Sequence, residues 1–564
     1  MPQSHVERLR QRKFFRWAAA YLAAAWLLFE VASEVGGPLG WSDTFYRTLL
    51  VVLGVGFLAA LVLAWYHGER GRQRVGTVEA VLLLLLAAVG TRAVFLVQQR
   101  ESGDDPGTAA VSDAPAGTIA ILAFRDLSAS GDQTYFAEGM AVEIQGLLSR
   151  VPGLRVAASM SAFSFRDTPV DVRVMGERLG VRYVLDGAVT READHVRISS
   201  QLIDARDGFE VWSESFNREL RSVMEIQEEI AALVVSELLP HLTTRPAVSL
   251  RTTSTDAHLA YLRGRYQWSR QANEAAVREF ETAIALDSAF ADAWAGLGTA
   301  LTIMATLDPS LRERADRAVQ RAIDLDPDSP DALSARARTD LTFRYDWAAA
   351  ERALERSVAL DPNHVETRHW YSHVLSWTGR ADEGLEQART AAVLDPLSPF
   401  MNLNLAVALW WAGEREEALT QVRHTVRLDP DFLLAYLYLW DYLLDAGRPD
   451  EARDVLVAWA EATGGPAEAA LEVASAIEEH LSTGRPVPVP EEAMASLDLY
   501  SAWVRRVYDW LGQDALALAE LWHAHADRSG SYDLLGLRHS GQYASLRDDP
   551  RFRQLMEEVG PDAR

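Results

Sequence analysis

Apolar positions change their rhythm along this chain, and each rhythm predicts a different kind of element. The first hundred residues hold three long apolar stretches, Phe14–Ser33, Leu49–Tyr66 and Val78–Val97. Leu49–Tyr66 runs 18 residues without a charge, and the third stretch contains an unbroken run from Val81 to Leu86. About 20 apolar residues are needed to cross ~30 Å of hydrocarbon, so the pattern predicts three transmembrane helices. Arg16, Glu30 and Arg92 stand near the ends of their stretches, where a long side chain reaches the headgroups.

From Gly117 the rhythm shortens. Thr118–Phe124 is an apolar run suited to a buried strand, and Tyr135–Val151 carries Phe136, Met140, Ile144, Leu147 and Leu148 at helical spacing. Leu154–Ala158 reads as a strand and Val172–Leu179 as a short helix. Arg182–Val189, His195–Ile203 and Glu210–Phe216 read as three further strands, the second with strict alternation of Val196, Ile198, Ser200 and Leu202. The turn Asp204–Gly208 joins the last two as a hairpin, and Val223–Leu239 closes the region as a helix. Strands mixed with helices predict a small α/β domain over 117–240, with an antiparallel meander at one edge of a mixed sheet.

Beyond residue 250 the pattern is helical and repeats. Leu-Asp-Pro occurs at Leu325–Pro327, Leu360–Pro362, Leu394–Pro396 and Leu428–Pro430, with prolines 35, 34 and 34 residues apart. Leu286-Asp287-Ser288 is a degenerate fifth copy. A period near 34 is that of a helix–turn–helix unit that buries its apolar face only by stacking on its neighbours. Proline stops the second helix of each unit because its ring has no N–H to continue the ladder. Six repeats are predicted, about 256–290, 291–329, 330–364, 365–398, 399–432 and 433–466, followed by helices over 467–564 that cap the stack.

Charge adds an orientation. Residues 1–100 hold 11 basic and 6 acidic side chains, whereas the rest holds 44 and 74. Arg8, Arg10, Arg12, Lys13 and Arg16 precede the first apolar stretch, and Arg70, Arg72 and Arg74 lie between the second and third. The positive-inside rule then predicts an integral membrane protein with a cytoplasmic amino terminus, in the bacterial inner membrane if the cell is Gram-negative. Residues 1–13 form a cytoplasmic basic tail, residues 99–116 a flexible linker, and residues 99–564 lie in the periplasm. So acidic a remainder repels phosphate backbones, which argues against nucleic-acid binding.

Composition narrows the chemistry. There is no cysteine, which removes disulfides, thiol nucleophiles and thiolate metal sites. Lys13 is the one lysine beside 54 arginines, so a Walker-type phosphate loop and Schiff-base catalysis are excluded. No nucleophile elbow or glycine-rich phosphate loop is present. His369 and His373 are four apart on one helical face, but tryptophan follows His369 and no third ligand stands out, so no metal is expected. No catalytic residue and no cofactor is expected either.

Two resemblances sharpen this reading. "IAILAFRDLS" (119–128), "YFAEGMAVEIQGLLSRVPGLRV" (135–156), "LGVRYVLDGAV" (179–189) and "ISSQLIDARDGFEVWSESFNREL" (198–220) resemble the FlgO-like, or TolB amino-terminal-like, domain of bacterial membrane-anchored proteins. Relatives of that kind carry a cytoplasmic cyclase, kinase or winged-helix module, for which about 13 residues before the first stretch leave no room. Trp294, Leu297, Gly298 and Leu301, with Ala276, Phe280 and Ala283, and with Ala315, Val319 and Ala322, resemble the tetratricopeptide repeat.

The second resemblance implies which side chains face the concave groove. They are His258, Tyr261, Arg265, Trp268 and Ser269 in the first repeat, and Glu366, His369, His373, Ser376 and Trp377 in the fourth. The fifth offers Phe400, Leu403, Val407, Trp410 and Trp411, and the sixth Asp441 and Asp445. The same aromatics equally suit packing between helices. The expectation is a multidomain protein of three transmembrane helices, a small α/β domain and an α-solenoid. It would act as a membrane-anchored, non-enzymatic scaffold or sensor whose groove binds a protein or peptide. The alternatives are a signalling component serving a separate cyclase or transcription regulator, and an enzyme with an unfamiliar site in 117–240.

Overall fold

The computed structural model describes residues 114–561, except 130, 167, 169, 193–194, 221–222, 240–251, 253, 307, 500, 528–531 and 539–541. Among the first hundred it describes 21, 25–30, 49, 53 and 57. The chain divides into two units, residues 1–106 and 107–564.

In the first unit the described residues are helical, and the Tyr21 hydroxyl donates to the Leu53 carbonyl at 3.0 Å. The three expected transmembrane helices do not stand. No helix among the described residues is long and apolar enough to cross a membrane. The rest of 14–33, 49–66 and 78–97, together with the basic tail 1–13 and most of the linker, lies outside the described residues. The fold class is therefore a helical solenoid with a small sheet domain.

That sheet domain opens the second unit. Its strands are β1 (Thr118–Ile121), β2 (Arg125–Asp126), β3 (Arg155–Val156), β4 (Tyr183–Glu192), β5 (His195–Asp204) and β6 (Glu210–Glu219). The order is β3-β1-β4-β5-β6, parallel from β3 to β4 and antiparallel from β4 to β6, with β2 added parallel to β4. Alternation decides which side chains go to which layer. Ile119 and Ile121 of β1 pack with α1 (Thr134–Ser149), while Ala120 packs on the other face with α2 (Ser159–Phe163) and α3 (Val172–Leu179). Both faces are covered there, which is why β1 reads as a continuous apolar run. α4 (Val223–Leu238) lays Ile226, Ile230 and Val234 beside α1 in the first layer.

The repeats follow as helix pairs: α5 (Thr255–Ser269) with α6 (Asn273–Leu286), α7 (Ala291–Met304) with α8 (Arg312–Leu325), and α9 (Pro330–Thr339) with α10 (Trp347–Leu360). The next three are α11 (Val365–Trp377) with α12 (Ala381–Leu394), α13 (Pro399–Trp411) with α14 (Arg415–Leu428), and α15 (Leu433–Asp445) with α16 (Pro449–Thr463). Ala276 and Ala283, Ala315 and Ala322, Ala350 and Ser357, and Ala418 and Thr425 are all fully buried. Small side chains seven apart let each second helix close on its partner, while Phe280, Val319, Leu354 and Val422 fill the space between them. The first pair is so close that a Cβ on Gly264 would sit 2.6 Å from Phe280 Cδ1.

The second helices α6, α8, α10 and α14 end on the Leu-Asp pair, with the aspartate in extended conformation. Its carboxylate then accepts from the backbone N–H two residues on, at 2.9–3.0 Å from Asp287, Asp326, Asp361 and Asp429. The recurring aspartate thus closes the turn that proline opens.

The sheet domain and the repeats share one apolar core. Phe136, Met140 and Ile144 of α1 belong to the same buried cluster as Leu259, Leu262 and Phe280. Gly139 makes the approach possible, since a Cβ there would meet Leu262 Cδ2 at 2.9 Å. Glu138, 2% exposed, faces Arg166 at 2.6 Å and Arg270 of the first repeat at 3.8 Å.

The last hundred residues do more than extend the stack. α17 (Ala467–Thr483) and α18 (Glu491–Leu497) continue it. α19 (Ser501–Trp510), α20 (Asp514–Asp527), α21 (Tyr532–Gly536) and α22 (Pro550–Val559) turn back onto earlier repeats. Arg312 of the second repeat donates to the Asp527 carbonyl at 2.6 Å, and the Trp347 indole of the third donates to the Val559 carbonyl at 2.9 Å.

Candidate functional site

The first helices of the repeats, α5, α7, α9, α11, α13 and α15, carry the residues expected in the groove, and the structure sorts these into two groups. In the first group, His258, Tyr261, Arg265 and Trp268 of α5, with Glu366 of α11 and Phe400 of α13, line a cavity of about 570 Å³. In the second, most of the residues are covered by the chain itself.

The cavity has a second wall that the repeat pattern does not reveal. Glu143, Gly146 and Leu147 of α1, with Ser159 and Met160 of α2, face the repeats across it. The turn aspartates hold this wall in place. The Ser149 hydroxyl donates to Asp361 Oδ2 at 2.7 Å, and Ser161 donates to Asp395 Oδ1 from its backbone N–H at 3.0 Å and from its hydroxyl at 2.5 Å. Asn363 donates its amide to the carbonyls of Ser149 and Leu154 at 2.7 and 2.9 Å, and the Ala158 N–H donates to the Leu394 carbonyl at 2.8 Å. Burial raises the Asp395 carboxyl, although its Ser161 hydrogen bonds oppose the shift.

The sequence carried one signal of this wall. Asp328 and Asp431 stand two residues after their turn aspartates, but Asn363 stands at that place in the third repeat. An amide donates where a carboxylate cannot, and Asn363 uses that capacity on the sheet domain.

Inside the cavity, His258 is 4% exposed and its Nε2 has no hydrogen-bond partner among the described residues. Burial lowers its pKa to about 4, so the ring is neutral near pH 7. Its ring lies 6.3 Å from Tyr261 and 6.5 Å from Phe290. Arg265 donates to the Tyr261 hydroxyl at 3.0 Å. Glu366 accepts from the Trp370 indole at 3.0 Å, and His364 meets Asp331 at 3.2 Å.

His369 and His373 lie beyond the cavity, buried in an aromatic stack. Their ring centroids are 4.7 Å apart; His369 lies 4.9 Å from Phe400, and His373 stacks on Trp377 at 4.7 Å. Burial lowers the His369 pKa to about 3 and holds His373 well below its ordinary value. Among the described residues no group of three or more His, Cys, Asp or Glu side chains is arranged to hold a metal.

Trp377, Trp411 and Asp441 face the returning carboxy-terminal helices. Trp377 and Trp411 pack against Gly536 and the leucines around it. Asp441, 3% exposed, accepts from Arg506 Nε and Nη2 at 3.1 and 2.7 Å and from the Trp510 indole at 2.8 Å. Arg506 also pairs with Asp509. Trp410 stacks on Tyr442 with centroids 4.0 Å apart, and the Arg415 guanidinium lies over its ring. Leu403 and Val407 are buried between helices, Ser376 is buried, Ser269 is exposed, and Asp445 pairs with Arg415.

No protein family's sequence profile matches the chain. Over 126 residues it is 39% identical to the Rhizobium meliloti (strain 1021) protein called "Putative adenylate cyclase 3", covering 22% of each. The chain thus spans about a fifth of the length of the curated relative it matches. Among solved structures it is similar to YrrB, described as a TPR protein with an unusual peptide-binding site. Identity there is 23% with a TM-score of 0.24, over 32% of this chain and 90% of the other. It is also similar to a thermophilic TPR protein of Thermus thermophilus, at 17% identity and a TM-score of 0.29, over 33% and 99%.

Proposed function

We propose that this protein is a non-enzymatic scaffold that holds a segment of a partner protein between its repeats and its sheet domain. The supporting observation is the cavity of about 570 Å³, lined by the first helices of several repeats and closed by α1 and α2. Solenoids bind along such inner faces because successive first helices present side chains in a row. Trp268 and Phe400 stand apart in sequence along that row and supply aromatic anchors for an extended segment. Function then follows from tethering: a held segment keeps its protein at high local concentration beside whatever else the scaffold contacts.

A photoreactive amino acid at Phe400, which is 39% exposed, tests the reading against the same group at Leu471, 43% exposed on α17. The expected result is one partner segment cross-linked at 400 and absent at 471. Its affinity for the purified protein should fall about tenfold on Trp268→Ala, the scale of an aromatic anchor. Equal capture at both positions would remove the proposal.

The likeness to the Rhizobium meliloti protein supports a second reading, a component of cyclic-nucleotide signalling. Cellular cyclic AMP unchanged by deletion of the gene would dismiss it.

A further inference from the structure

The scaffold reading leaves the charge of the cavity unused. Eight carboxylates line it, against two arginines, Arg150 and Arg265. Turn closure and the sheet domain occupy some of them, as at Asp361 and Asp395. Glu143, Glu228 and Glu366 belong to helices instead and serve no repeat turn, although Glu143 lies in the field of Arg265 and Glu366 accepts from Trp370. Burial, and to a lesser degree the neighbouring Glu225, raise the Glu228 carboxyl.

The second observation is independent of the acids. His258 Nε2 is buried without a partner among the described residues, on a ring that is neutral near pH 7. An orphaned polar atom in a native interior calls for an explanation, and a ligand donor is one. Tyr261, Trp268 and Phe400 complete the lining, and aromatic faces attract cations as carboxylates do.

Resting on the scaffold reading, we propose that the cavity receives a lysine or arginine side chain of the partner segment. The cationic head sits among Glu143, Glu366 and His258, with its aliphatic stem along the aromatic wall. An acidic partner segment is refused by the same charges, so the cavity selects as well as binds.

The test uses the full chain and three pools of fluorescein-labelled octapeptides in 150 mM salt. Each pool has two fixed positions, occupied by arginine or lysine, by glutamine, or by glutamate. The basic pool should bind about tenfold tighter than the glutamine pool, and the glutamate pool weakest. Glu143→Gln with Glu366→Gln should erase most of that preference. Glu274→Gln with Glu313→Gln, both on outer faces and more than 80% exposed, should change it less than about twofold. If the inner pair lowers the melting temperature, Glu366→Gln alone, whose amide oxygen still accepts from Trp370, should give about threefold.

Equal binding of the basic and glutamine pools would overturn the charge assignment and leave the scaffold reading standing. Equal losses in the inner and outer variants would reduce the preference to the overall charge of −25 and overturn it too. Binding by none of the pools would overturn both.

Discussion

His369 shows how one residue type takes a role its spacing does not announce. Four residues from His373 on one helical face, it has the geometry of a metal pair, yet both rings are spent on a stack with Phe400 and Trp377. Burial lowers the His369 pKa from 6.5 to about 3. In the unfolded chain the same ring titrates near 6.5, so between about pH 6.5 and 3 the unfolded state binds more protons. The stabilisation is complete above pH 6.5 and is lost as pH falls through that window, at about 1.4 kcal/mol per pH unit for this one ring. His369→Gln should flatten the acid limb of stability against pH, measured by urea unfolding at pH 7, 6 and 5. A slope unchanged by the substitution would show that the ring is protonated inside the folded protein. The histidine pair was legible as a pair but not as a stack, because the partners that decide the matter come from two other turns of helix.

Elements were more legible than their neighbours. Period-two alternation places Val196, Ile198 and Leu202 of β5 on the buried side, and the 34-residue period places the Leu-Asp turns. Local rules do not say where a helix goes after the periodicity fades, and there the expectation ran out. Past residue 466 the chain was expected only to cap the stack, whereas α19 returns to the sixth repeat and delivers Arg506 to Asp441. Both side chains are buried, so removing Asp441 leaves Arg506 only Asp509 as a charge partner in a dry site. Asp441→Ala should cost about 3–5 kcal/mol, the range for breaking a buried pair from one side. The loss should appear as faster proteolysis within α19–α22. Asp441→Ala with Arg506→Met and Asp509→Asn should recover part of it, since no unpaired charge is left behind. If the combined variant is no more stable than the single one, the pair does not dock the helix.

At the scale of the whole second unit, the question is whether a string of repeats behaves as a string. A stack in which each repeat touches only its neighbours unfolds piecemeal, because its stability is a sum of local terms. Here two other parts of the chain cross-link repeats distant in sequence. The sheet domain shares a core with α5 and also grips the turns at Asp361 and Asp395. The carboxy-terminal helices join the second repeat at Arg312, the third at Trp347 and the sixth at Asp441. An opening confined to one repeat would therefore break contacts at several others. Residues 114–561 should melt in one transition, with the near-ultraviolet signal of the tryptophans and the far-ultraviolet helix signal falling together. Gly139→Leu, which forces α1 away from Leu262, should move that single transition to lower temperature without dividing it. Calorimetry gives the decisive form of the result. A measured enthalpy equal to the van't Hoff value means one cooperative body, and a cavity walled by two domains keeps its shape only in such a body. Two separated peaks would mean that the sheet domain and the repeats part before either unfolds. The cavity between them would then open and close with that motion.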